Sequence, residues 1–393
     1  MRKILWLASW YPNQLAPFDG DFIQRHAQSV ALLHRLDVLF VVNDVSGKVT
    51  RDIKEEVSDN GNLCERIIYY HSFKTGIGFI DKILSSLKYV RVYKKAVQKY
   101  ISRNGEPLFV HLHVAMKAGI IAMWMQRKFK IPYILSEHWT DYLQEAKPNY
   151  IEYNFVFRNL CNKIFLGATS VTVVSKVLGD ALAEKFSVRY TVIPNVVNTS
   201  IFFPDHLPPG EKIKFVHVSG LGHQKNIAQM IQAFEMIRKK NYVFALTIFG
   251  PPSAELDDLI NQYDLHDFVI LQDEVPQDVL TKTFQRSDAL ILYSKYETFG
   301  CVVIEANACG IPAILSDLPV FREHSIENVT AIFVEQGNAE ALSNAVISFI
   351  KNREMFDEQK IWRHVVTKFS YPVIAHQFDA LYDELSESLS LRT

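Results

Sequence analysis

"SDALILYSKYETFGCVVIEANACGIPAILS", residues 287–316, decides the fold. Its first run, "DALIL", and its last, "IPAILS", are short, apolar and bounded by polar, Gly or Pro residues, which marks buried strands. Between them Gly300 is a poor helix interior and Gly310 a good helix stop. The spacing therefore predicts a helix that starts at about Phe299 to Cys301 and ends at Gly310. Strand, helix, strand is the unit of a parallel α/β sheet, and the rest of the chain repeats it.

Within this stretch Glu297, Cys301, Glu305 and Cys309 recur every four residues. As one helical stripe they would span roughly 18 Å, whereas zinc ligands lie about 2.0–2.3 Å from the ion, so a single metal cannot gather them. With the helix starting near Gly300, Glu297 precedes it and Glu305 lies inside it. The free amides of the first turn carry about half a positive charge and can hold a phosphate, with Thr298, Phe299 and Gly300 allowing close backbone approach. Glu305 leans back toward the helix start, where its carboxylate can accept hydrogen bonds from a ribose diol; Glu297 can do the same for sugar hydroxyls. Cys301 and Cys309 read as small packing residues.

Working outward, "KILWLA", "LDVLFVV", "PLFVHL", "PYILS", "ATSVTVVS" and "YTVIP" read as buried strands separated by helical segments. The pattern begins afresh with "KIKFVHVSG", followed by "YVFALTIFG", "FVILQ", "SDALILY", "IPAILS" and "TAIFVE". Between the halves, "IPNVVNTSIFFPDHLPPGEK" has the prolines and polar residues of a linker. We expect a domain over 1–198, a second over 199–370, and a final helix over 371–393 with apolar positions Val373, Ile374, Phe378, Leu381, Tyr382 and Leu385. At 393 residues two domains are the natural size. Facing parallel sheets leave a cleft at their carboxyl ends, where such sheets bind ligands.

Composition excludes several classes. No run approaches the roughly 18 apolar residues of a membrane span. The apolar run in "MRKILWLASWYPN" is too short for a signal peptide and reads as a first strand. The four cysteines, Cys64, Cys161, Cys301 and Cys309, form no C-x-x-C pair, so neither a disulfide framework nor a zinc knuckle is indicated, and a cytoplasmic location follows. The net charge of -1 conceals an asymmetry: residues 1–198 hold 26 Lys and Arg against 17 Asp and Glu, the remainder 16 against 26.

Other candidates lie in the first half. His138, with Glu137 and Trp139, follows the strand "PYIL" and so stands at the cleft edge. In "FDGDF", Gly20 suits close backbone approach, and Asp19 or Asp21 would cap the following helix. His111 and His113 share one strand face but have no apparent third ligand, which favours a structural role. Between Lys74 and Arg103 there are eight basic residues and one acid, over an apolar repeat from Ile80 to Ile101. That is an amphipathic helix over 80–103 whose basic face suits an anionic membrane surface, peripheral at its inner face.

"ETFGCVVIEANACGIPAI" resembles the E-[SGT]-F-G-x-x-x-x-E-A-x-A-x-G-x-P signature of retaining glycosyltransferases of family 4. Matches continue down the chain in "VHLHVAMKAG", "ATSVTVVSKVLGDAL", "VIPNVVNTSIF" and the loop "VSGLGHQKN". The resemblance implies the GT-B fold, two Rossmann-like doubly wound domains facing across a cleft, with the final helix crossing back to the first domain. It implies a metal-independent enzyme without cofactor that moves a sugar, with retention, from a nucleotide-diphosphate-sugar donor to a saccharide or lipid-linked acceptor, in polysaccharide or glycolipid biosynthesis. No nucleic acid is implied.

By the same resemblance Glu297 contacts the donor sugar, Glu305 the ribose, Lys225 the diphosphate, and His138 sits beside the donor sugar. The loop carrying Gly222 and His223 also serves the donor. One departure matters: the family's loop arginine corresponds to Gly220, leaving a diphosphate cation to be supplied by His223 or not at all. A catalytically silent nucleotide-sugar-binding or scaffold protein is the alternative.

Overall fold

The computed structural model describes residues 2–72, 75–205 and 212–390. Lys74 and residues 206–211 of the expected linker fall outside that range. The first sheet contains β1 (Lys3–Ala8), β2 (Arg35–Asn43), β3 (Ile53–Asn60), β4 (Leu63–Tyr70), β5 (Val110–His113), β6 (Tyr133–Glu137), β7 (Ser170–Val173) and β8 (Thr191–Val192). Their order is β3-β4-β2-β1-β5-β6-β7-β8, with the β3–β4 hairpin antiparallel and every other pair parallel. No apolar run announces that hairpin: β3, "IKEEVSDN", is almost wholly exposed, and its signal is the two-residue Gly61-Asn62 turn between the paired Asn60 and Leu63, with Gly61 at φ 68°.

The second sheet contains β9 (Ile213–Val218), β10 (Phe244–Phe249), β11 (Val269–Gln272), β12 (Ala289–Leu292), β13 (Ala313–Ser316) and β14 (Ala331–Val334). All its pairs are parallel, in the order β11-β10-β9-β12-β13-β14. The order reverses between β9 and β12, which opens the crevice where doubly wound sheets take ligands.

Helices cover both faces. In the first half they are α1 (Asp21–Val30), α2 (Gly78–Asn104), α3 (Gly119–Phe129), α4 (Phe155–Gly167) and α5 (Lys176–Phe186). In the second they are α6 (Ile227–Lys239), α7 (Ala254–Gln262), α8 (Gln277–Phe284), α9 (Cys301–Ala308), α10 (Pro319–His324), α11 (Ala339–Asn352), α12 (Glu358–Phe369) and α13 (Tyr371–Ser390). With helices on both sides, a strand needs apolar residues at successive positions. In β1, Ile4 and Trp6 pack on the α1 side, whereas Leu5 and Leu7 join the core beneath α2 and α3.

The last helix, α13, belongs to the first domain in space. Its Ile374, Phe378, Leu381, Tyr382 and Leu385 are buried with Ile23, Ala27 and Val30 of α1 and with Trp6. Each large apolar side chain so buried contributes about 1.5–3 kcal/mol. The chain therefore crosses between the sheets twice, and the crossings run side by side: the Val197 N–H donates to the Phe369 carbonyl at 2.9 Å.

Two details differ from expectation. The apolar repeat of α2 is not one buried stripe. Tyr89, Val92, Tyr93, Ala96, Val97 and Tyr100 are buried, but Ile80, Ile83, Leu84 and Leu87 are exposed, because the first turns of this 27-residue helix lie outside the core. Nor does an aspartate cap α1: its N-cap is Gly20, without a side-chain cap, and Asp21 instead accepts from Arg25 Nη2 at 2.7 Å. Among the described residues no helix is long and apolar enough to cross a membrane.

Candidate active site

Three loops at the carboxyl ends of strands meet in the cleft. From the second domain come the turn after β9, which carries Lys225, and the segment from β12 into α9, which carries Glu297 to Gly300. From the first comes the end of β6, with Glu137, His138 and Trp139. They enclose a cavity of about 370 Å3 whose walls include His138, Trp139, Lys225, Glu297, Thr298, Phe299 and Gly300. A neighbouring cavity of about 440 Å3 shares Val218, Cys301 and Val302 with it and is lined by Asp21, Arg25, Gly220, Glu274 and Glu305.

The start of α9 forms the partition. Gly300 is its N-cap at φ 83°, and a Cβ there would lie 2.8 Å from Phe321 Cε1, so glycine is needed for both conformation and space. Phe299 turns its side chain inward, with its ring 4.7 Å from that of His324, and its carbonyl accepts from His324 Nε2 at 2.8 Å. What Phe299 offers a ligand is its backbone. The amides that open α9 ahead of Val303, whose own N–H donates to the Gly300 carbonyl at 3.0 Å, have no intrahelical partner, which leaves them able to bind an anion.

Glu297 is buried, and its Oε1 accepts from Lys225 Nζ at 2.5 Å and from the Ser294 hydroxyl at 2.8 Å. Glu305 is also buried and is bridged across the cleft by Arg25 of α1. Burial raises the Glu305 pKa and the Arg25 guanidinium opposes the rise. For Arg25, burial disfavours the charge, but Asp21 and Glu305 outweigh it and hold the group protonated.

His138 lies against Phe22, ring centroids 4.8 Å apart, and beside His26 and His113. Among the described residues neither of its ring nitrogens, nor either of His113, has a partner, and His26 uses one, Nε2, against the Pro194 carbonyl at 3.0 Å. The third imidazole that spacing could not supply for His113 is thus His26: ring nitrogens of His26, His113 and His138 lie within 4.8 Å of one another. Burial lowers the pKa of all three, that of His26 to about 4, so each is neutral near pH 7. His111 instead bridges Tyr382 (2.8 Å) and Ser136 (2.7 Å).

Glu137 holds the His138 loop from below. Its carboxylate accepts from the amides of Ala115 (2.9 Å), His138 (2.8 Å) and Trp139 (3.1 Å). Burial nonetheless raises its pKa to about 7.

Gly20 lies against the backbone of the loop after β1 at φ 67°, where a Cβ would come within 2.6 Å of the Trp10 carbonyl carbon. Gly222 and His223 are set apart. They line a separate pocket with Leu221, Ser253 and Lys295, and Lys295 Nζ lies 3.1 Å from His223 Nε2. Gly220 and His223 thus line different pockets. Arg25 carried no signal in the sequence beyond helical spacing from Asp21, and His26 none, because Glu305 lies 280 residues from Arg25 and the imidazoles beside His26 belong to His113 in β5 and His138 after β6.

Two family models match in succession: Glycosyltransferase Family 4 over residues 30–201, and Glycosyl transferases group 1 over residues 198–362. The chain is 24% identical over 401 residues to a Bacillus subtilis (strain 168) protein named as a teichuronic acid biosynthesis glycosyltransferase, TuaC, covering 96% of this chain and 95% of that protein. Among solved structures it is similar to sucrose-phosphate synthase from Thermosynechococcus elongatus, with a TM-score of 0.78 at 18% identity over 99% of this chain and 100% of that one. It is also similar to Anabaena Alr3699/HepE in complex with UDP and glucose, with a TM-score of 0.71 at 13% identity over 98% and 100% of the two chains. Two facing Rossmann-like sheets, a helix that returns to the first, and two glycosyltransferase models laid end to end give one conclusion: the chain is a glycosyltransferase of the GT-B type.

Proposed function

We propose that this enzyme transfers a sugar from a nucleoside-diphosphate sugar to a hydroxyl acceptor with retention, in the making of a polysaccharide or glycolipid. The observation that carries this reading is the convergence of Lys225, Glu297 and the α9 amides on one cavity with His138 opposite. Negative charge builds on the donor's diphosphate as the glycosidic bond breaks. A lysine and helix-start amides already aimed there stabilise that charge without reorganisation. Glu297 and neutral His138 hold hydroxyls of the donor sugar, and Glu305 takes the ribose. A phosphate oxygen of the donor receives the acceptor proton, so neither a protein base nor a metal ion enters the step.

Supplying the purified protein with UDP-, GDP- and ADP-sugars tests this. One of them is hydrolysed slowly without acceptor, and the anomeric configuration of the early product, read by NMR, is that of the donor. If every donor is left intact and none raises the melting temperature, the reading fails; binding without turnover would leave a silent nucleotide-sugar binder.

The first domain, which presents the acceptor in this reading while the second holds the nucleotide, meets an anionic membrane surface through α2. Phe79 is 74% exposed and Leu87 63%, on the same turns as exposed Ile80, Ile83 and Leu84, while Lys82, Arg91 and Lys95 stand exposed beside them. Apolar side chains that enter the acyl boundary, flanked by cations worth about 1 kcal/mol each near anionic lipid, make an interfacial helix. Sedimentation with phosphatidylglycerol vesicles falls when Arg91 and Lys95 become glutamine and again when Phe79 and Leu87 become serine; unchanged sedimentation in both would reject the membrane.

A further inference from the structure

The cavity beside Glu305 has an imbalance of charge. Three acids line it, Asp21, Glu274 and Glu305, and among the described lining residues Arg25 is its one cation. A donor diphosphate lying along the α9 start, between this cavity and that of Lys225, would face those acids with a single lysine to offset them. Gly220, at the carboxyl end of β9, offers nothing beyond its backbone, and His223 faces another pocket.

Arg25 is poised to supply the missing charge. It is 5% exposed and, among the described residues, its Nε has no hydrogen-bond partner. The other end of the guanidinium holds Asp21, one turn earlier on the same helix, at 2.7 Å and reaches across the cleft to Glu305. Cys301, the first residue of α9, is close enough for its thiol to feel the Arg25 charge. A desolvated arginine–glutamate pair adds little to stability by itself, because the loss of hydration offsets the attraction. As a reserve of charge it has a use, since the ribose that Glu305 accepts in our reading would free the guanidinium at the moment an anion arrives.

Resting on that reading of the donor site, we propose that Arg25 is a donor-binding residue. It leaves Glu305 when the nucleotide enters, keeps Asp21 as its pivot, and binds the diphosphate in place of the cation absent at Gly220. A first-domain residue would thereby hold a ligand carried by the second, so that nucleotide binding draws the two domains together.

The test compares calorimetric affinities of UDP, GDP and ADP with those of uridine, guanosine and adenosine, for the wild type and for Arg25→Gln. Arg25→Gln leaves Glu305 unpaired, so the double variant Arg25→Gln/Glu305→Gln is measured beside it, and Gly220→Arg is added to Arg25→Gln to restore a cation. Loss of one charge-assisted contact lowers the affinity of the preferred diphosphate by about 10- to 100-fold in Arg25→Gln against the wild type, and by a similar factor in the double variant against Glu305→Gln alone; it leaves nucleoside affinity within about twofold in each of those comparisons and is partly reversed by Gly220→Arg. Equal losses for diphosphate and nucleoside would make Arg25 a structural residue and overturn the inference. So would an unchanged diphosphate affinity in a wild type that binds it. A wild type with no affinity for any diphosphate would overturn the donor-site reading itself.

Discussion

Lys225 Nζ stands 2.5 Å from Glu297 Oε1 although the two residues sit on separate loops, one after β9 and one after β12. The pair is neutral as it stands, and a donor placed between sugar and diphosphate would separate it, giving the acid the hydroxyls and the lysine the phosphate. Lys225→Ala should reduce kcat with a nucleotide sugar by about 10²- to 10³-fold, the usual cost of one preorganised donor. Steady-state kinetics decide it, and a fall of less than about tenfold would remove Lys225 from the charge-stabilising role.

Gly300→Ala should damage the site without touching a side chain that binds. An alanine at φ 83° costs about 1–2 kcal/mol in backbone strain, before its contact with Phe321 is counted. Each kcal/mol lowers the melting temperature of a domain this size by about 2–4 °C. Calorimetry should show that drop together with weaker nucleotide binding, since the helix start is displaced. An unchanged melting temperature would mean that the positive φ is dispensable.

Acid should destabilise the protein through His26, His113 and His138. Their folded pKa values lie below the ordinary 6.5, so the unfolded chain binds protons that the folded one refuses. Their stabilising contribution is present above pH 6.5 and is lost as pH falls toward the His26 value of about 4. Glu137 works the other way, because its raised pKa makes the folded state hold a proton between about 4.5 and 7. Burial also lowers the imidazoles of His111, His217 and His324 and raises Glu305 as well as Glu137; because the imidazoles outnumber these carboxyls, urea unfolding between pH 7 and pH 5 should show stability falling with pH, and His113→Asn should flatten the slope. A slope of opposite sign would show these rings to be protonated in the fold.

Prolonged dialysis against a chelator should leave turnover and melting temperature unchanged, since in the proposed reaction Lys225 and the α9 amides carry the charge a metal would otherwise carry. The imidazoles of His26, His113 and His138 make this a sharp test, as their ring nitrogens lie within 4.8 Å of one another. Activity lost to the chelator and restored by zinc would place an ion among them.

Much of the architecture was legible because it depends on local pattern. Each strand of the second sheet is an apolar run closed by turn residues, and α9 begins and ends where Gly300 and Gly310 say it must. The hairpin β3–β4 was not legible, because an edge strand that is solvated on both faces carries no apolar period. The two classes of side chain in α2 were not separable either: Ile83 and Val97 look alike in sequence, and only the extent of the sheet beneath the helix decides which is covered.

The same division runs through the site. From sequence alone came the fold class and the placing of Glu297 before a helix and Glu305 within it, because backbone propensity and helix polarity act over a few residues; the pairing of that helix start with the lysine loop was implied by the family resemblance. The tertiary structure alone decided that Arg25 answers Glu305, that His26 completes a cluster with His113 and His138, and that His223 turns to another pocket. Those relations join residues up to 280 positions apart across two sheets. Their geometry is set by how the domains pack, and desolvation, which fixes the charge of each group, exists only once they have done so.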